Sequence, residues 1–251
     1  MSGHSKWSSI KHKKAAVDAK RGKIFTKLIR EITVAAKTGG ADPAGNPRLR
    51  SALQAARGQN MPMDTVNRAI KKGAGGADGV NYEEVIYEGF GPCNVAVVIQ
   101  TLTDNRNRTI ASIRGAFNKY NGNLGSTNTV LHMFERKGTI LIPKSAVDED
   151  TLTEWILDAG AEDLDVGMED YLVTAAVEDF EAVKDALEQQ NVEIKEAELA
   201  QVPQTKTIIS DREEAEKVMN FLEMLEEDDD VQKLFSNFDI DDAVLAELDA
   251  R

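Results

Sequence analysis

The sequence predicts a multidomain α+β protein: a basic three-helix bundle at the N-terminus, then an α/β domain interrupted by an inserted ferredoxin-like (βαββαβ) unit. Three observations carry that expectation. Charge divides sharply, with 16 Lys and Arg against 4 Asp and Glu in residues 1–72 (net +12) and 14 against 39 in residues 73–251 (net −25). A glycine-rich run, Gly73-Ala74-Gly75-Gly76-Ala77-Asp78-Gly79, lies where the sign changes and reads as a flexible linker. Residues 139–202 then alternate strand-like and helical patterns in the order β-α-β-β-α-β, the split βαβ arrangement.

Bulk properties narrow the class. The 251 residues are long for one core and comfortable for two or three small ones. An apolar fraction of 41% is ordinary for a folded chain. No apolar run approaches the roughly 20 residues of a membrane span. The basic, polar stretch from Met1 to Lys14 has no apolar segment behind it, unlike a secretory signal. Cys93 is the only cysteine, which excludes an intramolecular disulfide and multi-cysteine metal sites. The expectation is a cytoplasmic protein with no membrane segment and no cofactor.

Within the basic region, residues 1–14 form an arm with one large aromatic, Trp7, among cations. Phe25, Leu28, Ile29, Ile32 and Ala36 then recur at helical spacing, with Lys27, Arg30 and Lys37 off the stripe and Gly39-Gly40 as the stop. Asn46-Pro47, a cap followed by a first-turn proline, opens a second helix carrying Leu49, Ala52, Leu53 and Ala56. A third follows Pro62 with Val66, Ala69 and Ile70, ending in Lys71-Lys72-Gly73. Three short amphipathic helices bury their stripes only by packing together, so this is a bundle. The domain boundary falls at the linker, and 1–79 forms the first domain.

From Tyr82 the pattern is mixed. Residues 85–87 and 95–99 are strand-like around a Gly89–Pro92 turn, and a helix follows Asp104-Asn105 with Ile110, Ile113, Phe117 and Tyr120 on one face. Residues 131–134 and 139–142 read as two strands on either side of Lys137-Gly138. In the inserted unit, helices carrying Leu152, Trp155 and Ile156, then Phe180, Val183 and Leu187, alternate with strands near 164–166, 171–175 and 192–202. After Pro203, a strand at 207–209 leads to a capping box, Ser210 with Glu213, and a helix with Ala215, Val218, Met219, Leu222 and Leu225. Residues 231–238 suit one more short strand, and the tail from 241 to 251 reads as acidic and frayed. The layout is therefore 80–138 plus 203–240 as one discontinuous domain, with 139–202 inserted into it.

The basic region carries the chemistry. Each phosphate neutralised by Lys or Arg releases counterions, so a cluster of such contacts binds nucleic acid with steep salt dependence. The candidate residues are Lys6, Lys11, Lys13, Lys14, Lys20, Arg21, Lys23, Lys27, Arg30, Arg48 and Arg50, with Trp7 either stacked on an exposed base or plugging the bundle. A second segment, Asp104-Asn105-Arg106-Asn107-Arg108-Thr109, sets Arg106 and Arg108 at a helix start. Two readings stand there: anion binding at the helix N-terminus, or pairing of the arginines with nearby acids. Residues 73–79 lack the Gly-Lys-Ser/Thr ending of a P-loop. His4, His12 and His132 lack ligand spacing, and residues 226–230 lack the EF-hand pattern, leaving a solvated helix end. No catalytic constellation can be picked out.

Ser2-Gly3-His4-Ser5-Lys6-Trp7, the run from Asp18 to Lys27 (Asp-Ala-Lys-Arg-Gly-Lys-Ile-Phe-Thr-Lys), Asn46-Pro47-Arg48-Leu49-Arg50, the run from Tyr87 to Pro92 and the Asp104–Thr109 segment resemble, in order, the YebC family. The resemblance runs to about Phe238. It implies a three-domain, cleft-shaped architecture with an N-terminal bundle and an inserted domain. It also implies a regulator of gene expression, described for some members as binding promoter DNA, for others as ribosome-associated translation factors that ease synthesis through proline-rich stretches, and for a mitochondrial relative as an activator of translation. The carried-over residues are the basic arm, the first helix and Arg106 with Arg108; no catalytic residues are implied.

The expected function is non-enzymatic binding of RNA or the ribosome through the basic N-terminal domain, with DNA-binding transcriptional regulation as the alternative. A basic protein partner for the acidic body is compatible with both. A bundle with no evident base-reading helix and no dimerisation stripe favours the first.

Overall fold

Helix α1 (Val17–Gly39) carries the apolar stripe that organises the basic region. Its Ile32, Ala35 and Ala36 are buried against Leu49, Ala52 and Ala56 of α2 (Pro47–Gly58) and Val66 and Ala69 of α3 (Met63–Ala74). The computed structural model describes residues 17–75, 81–167 and 169–249. Small residues let the helices approach closely. A Cβ on Gly73 would lie 2.3 Å from the Thr33 carbonyl oxygen, so only glycine allows α3 to cross α1 there. Asn46 ties α1 to α2: its side-chain oxygen accepts from Leu49 N at 3.0 Å as the cap, while its amide donates to Ala35 O at 2.7 Å and Gly40 O at 2.8 Å.

The next layer is a four-stranded antiparallel sheet in the order β3-β1-β2-β9. Its strands are β1 (Glu83–Phe90), β2 (Ala96–Thr103), β3 (Asn123–Leu124) and β9 (Val231–Ser236). Helices α4 (Arg106–Lys119) and α7 (Arg212–Glu226) cover one face, burying Val97, Ile99, Ile113, Leu222 and Leu225. Phe117 meets Phe221 edge-to-face at 5.0 Å in the same core. The opposite face contributes Ala96, Val98 and Phe235 to a smaller core with Val130, Phe134 and Ala200, which joins it to a second sheet.

That second sheet has the order β5-β6-β4-β7, antiparallel throughout. It is built from β4 (Phe134–Pro143), β5 (Ala161–Val166), β6 (Asp170–Ala175) and β7 (Glu196–Pro203). Helices α5 (Glu149–Asp158) and α6 (Phe180–Gln189) pack on it through Leu152, Ile156, Val183 and Leu187. The chain order β-α-β-β-α-β with this neighbour order is the ferredoxin-like topology. The fold is thus α+β, a helical region followed by sheet-containing units.

Glu88 anchors the approach to β4. Its carboxylate, 3% exposed on β1, accepts backbone N–H bonds from Asn128 (2.8 Å), Val130 (3.0 Å) and Leu131 (2.7 Å). Three backbone donors satisfy the buried charge and fix the segment that carries the chain from the first sheet into the second.

The structure corrects several sequence expectations. Residues 134–143 form one strand, not two: Gly138 stays in register with Ala175 on one side and Leu199 on the other, so the proposed boundary at 138/139 falls inside β4. The strand read as 192–202 begins at Glu196, and residues 231–238 divide into β9 and β10 (Phe238–Ile240). β10 pairs in parallel with β8 (Thr207–Ile209), so β8 stands outside the main sheet. The cap of α7 is Asp211, accepting from Glu214 N at 2.9 Å, in place of Ser210. The tail expected to fray forms helix α8 (Asp242–Asp249), whose Val244 is buried and whose Leu248 packs on the main core. Val244 and Leu248, one turn apart, dock a segment that also carries Asp242, Glu247 and Asp249.

Candidate nucleic-acid interface

Lys23, Lys27 and Arg30 follow one another at i, i+4 and i+7 and so share one side of α1, opposite the stripe that receives α2 and α3. That side rests on the end of α7 and the turn into β9. Lys23 Nζ lies 3.9 Å from Glu227, Lys27 Nζ donates to Glu226 O at 2.7 Å, and Arg30 donates to Asp229 O at 2.6 Å. Cations here meet the negative end of a helix and its last carbonyls, a favourable pairing.

Asp230 is the centre of this contact. It is 2% exposed, and its carboxylate accepts from Arg30 at 2.6 Å, from Arg108 at 2.7 and 2.8 Å, from Thr109 Oγ1 at 2.7 Å and from Thr103 Oγ1 at 3.3 Å. Burial alone would raise its pKa, but the hydrogen bonds from Arg108, Thr109 and Arg30 outweigh it and hold the carboxyl below its ordinary value. The same hydrogen bond raises the Arg108 pKa further above its already high value. A buried carboxylate with every lone pair occupied draws together α1, α4 and the β9 turn.

The remaining cations divide. Arg48 is held by both oxygens of Glu31 (2.6 and 3.0 Å) and pairs with Glu84 on β1, a second bridge between bundle and sheet. Hydrogen bonding to Glu31 raises its pKa despite desolvation. Arg106 pairs with Glu83, and Arg108 also reaches Asp104 at 2.7 Å. Arg50 is exposed and donates to the carbonyls of Pro43 and Ala44 in the loop before its helix. Of the sequence candidates, Lys6, Trp7, Lys11, Lys13 and Lys14 lie outside the described residues. Lys20 and Arg21 lie on α1, their side chains likewise outside the description.

Sequence reasoning missed Asp230, placing residues 226–230 at a solvated helix end. Its position immediately before the apolar start of a strand is the one mark that sets it apart from Asp228 and Asp229 in the sequence. Among the described residues, no group of three His, Cys, Asp or Glu side chains could hold a metal ion, and no helix is long and apolar enough to cross a membrane.

Comparison with known proteins bears on this geometry directly. Residues 5–76 match the model of the TACO1/YebC protein N-terminal domain, and residues 82–238 match that of the TACO1/YebC second and third domain. The chain belongs to the TACO1/YebC family. A family relative from Desulforapulum autotrophicum, named a probable transcriptional regulatory protein, is 54% identical over 244 residues, covering 97% of this chain and 98% of that one. A protein of the same name from Chlorobaculum parvum is 50% identical over 250 residues, covering 99% of each. The crystal structure of a conserved hypothetical protein from Aquifex aeolicus superposes with a TM-score of 0.83 at 47% identity, over 89% of this chain and 92% of that one. In this TACO1/YebC chain the Asp230 cluster spans the seam between the two matched regions, taking Arg30 from the first and Arg108 from the second.

Proposed function

We propose that this TACO1/YebC protein regulates gene expression by binding nucleic acid through its basic N-terminal region, without chemistry of its own, and that its target is structured RNA on the ribosome. The observation that carries this reading is the opposition of charge, +12 in the first 72 residues against −25 in the rest. A polyanion is drawn to one end of such a molecule and repelled by the other, which orients binding without sequence readout. Structured RNA is recognised largely through shape and backbone, and this suits a cationic arm better than a base-reading helix. The family resemblance adds the step served: synthesis through proline-rich stretches. The cytoplasm is the compartment of that work.

DNA-bound transcriptional regulation is the second reading, and the names of the relatives favour it. The body of the protein, in either case, is free to engage a basic protein partner. Co-sedimentation of full-length protein with ribosomes at physiological salt, in DNase-treated lysate, separates the two. Migration with ribosomal particles, lost when Lys11, Lys13, Lys14, Lys20 and Arg21 are all changed to Gln, is the expected result. Free protein that still protects a promoter selectively against scrambled DNA would establish the transcriptional reading instead.

A further inference from the structure

Among the described residues, the cations of the bundle other than Lys37, which donates to Asn81, fall into two sets. One set, Lys23, Lys27, Arg30 and Arg48, faces the body and is engaged there. The other lies on the outward sides of α2 and α3. Arg50, Gln54 and Arg57 stand at i, i+4 and i+7 on α2, all exposed, and α2 contains no acidic residue. Arg68, Lys71 and Lys72 stand at i, i+3 and i+4 on α3, also exposed, with Asp64 the single acid of that helix.

We infer that these outward faces of α2 and α3 form a phosphate-backbone contact for nucleic acid, carried by Arg57, Lys71 and Lys72. The inference rests on the nucleic-acid reading above and assigns it a surface beyond the arm and α1. Among the described residues, Arg57, Lys71 and Lys72 make no ion pair. Arg68 donates only to the Asp64 carbonyl at 3.1 Å and Thr65 Oγ1 at 3.3 Å, neither of which neutralises its charge. Like charges at i, i+3 and i+4 repel one another on a helix, so this arrangement gains from an external polyanion. α2 and α3 pack on the side of α1 opposite Lys23, Lys27 and Arg30, and the start of α2 reaches the body through Arg48 and Glu84, away from its outward row. Phosphates approaching the outward faces meet cations first. Gln54 and Asn67 add amide donors between the charges.

Arg57, Lys71 and Lys72 also lie in the last turns of their helices, where cations complement the helix dipole. The experiment must separate the two roles. Full-length protein is titrated into a labelled hairpin RNA and, separately, a labelled duplex DNA over a range of salt concentrations. The variant Arg57→Gln/Lys71→Gln/Lys72→Gln is compared with Arg136→Gln/Lys206→Gln/Lys217→Gln, which removes three exposed body cations. The expected result is weaker binding by the first variant alone, with its salt slope reduced by about 2 to 3 as three phosphate contacts disappear. Unchanged affinity and slope, with a lower melting temperature, would assign the three cations to the helix dipole and overturn the inference. Equal loss in both variants would reduce the effect to net charge and overturn it as well. Failure of the wild-type protein to bind either probe would remove the functional reading itself.

Discussion

Arg30 and Asp230 stand 200 residues apart in sequence and 2.6 Å apart in space, and their ion pair seats the basic bundle on the acidic body. Arg30 is largely covered and Asp230 almost wholly so. The pair is therefore little screened by salt, unlike the exposed Lys23–Glu227 contact beside it.

Asp230→Ala leaves Arg30 without its carboxylate and strips Thr103 and Thr109 of an acceptor. Removing one partner of a buried pair costs on the order of 3 kcal/mol. Urea unfolding should show a loss of that size in unfolding free energy, with a correspondingly lowered midpoint. Arg108→Ala should cost less, because its guanidinium is half exposed and water can replace part of what it loses. Equal effects from the two variants would place the Arg108 contact on a par with the buried one.

Acid should act on the same contact. The Asp230 carboxyl is held below its ordinary value in the folded protein, whereas the unfolded chain titrates near pH 4. Between the two values the unfolded state binds the extra proton, so the stabilisation is present above about pH 4 and is lost as pH falls through the lower folded value. Urea midpoints measured downward from pH 5 should fall more steeply for wild type than for Asp230→Asn. Parallel acid limbs would contradict this.

Glu88→Gln replaces one acceptor oxygen with an amide that faces backbone N–H groups. The cost is about 1–3 kcal/mol, the range for an unsatisfied buried polar group. Limited proteolysis should then cut within residues 125–131, a segment that wild-type protein protects through the hydrogen bonds to Asn128, Val130 and Leu131.

Gly73→Ala sets a methyl group against the Thr33 carbonyl, which is backbone and cannot rotate away. Separation of α3 from α1 should cost about 1–3 kcal/mol. A thermal melt should register the loss, and Gly58→Ala, where nothing lies within 4 Å, should not reproduce it.

Much of this architecture is legible in the sequence. The stripe of Phe25, Leu28, Ile29, Ile32 and Ala36 marks the buried side of α1, and Asn46 and Asn105 mark helix starts, because periodicity and capping are local properties. The alternation that defines the ferredoxin-like unit is readable for the same reason. Destinations of charged side chains are less accessible. Lys23, Lys27 and Arg30 look alike along the chain, and their partners at 226–230 are about two hundred residues away. Nor does composition separate Asp230 from Asp228 and Asp229, since burial comes from the turn into β9. The continuous run of β4 is hidden in the sequence because Lys137-Gly138 resembles a turn, although Gly138 serves there to admit the Phe180 ring, 2.3 Å from where a Cβ would stand.

Phe134 at the start of β4 is paired across the ladder with Pro203 at the end of β7. The chain therefore departs for the second sheet and returns from it at neighbouring points, about 5 Å apart as adjacent strands are. Such a loop can be excised and its stumps rejoined by a short hairpin turn while β1, β2 and β9 keep their order. The ferredoxin-like unit is thus borne on a two-strand stalk, and its removal would uncover Ala96, Val98 and Phe235 beneath it.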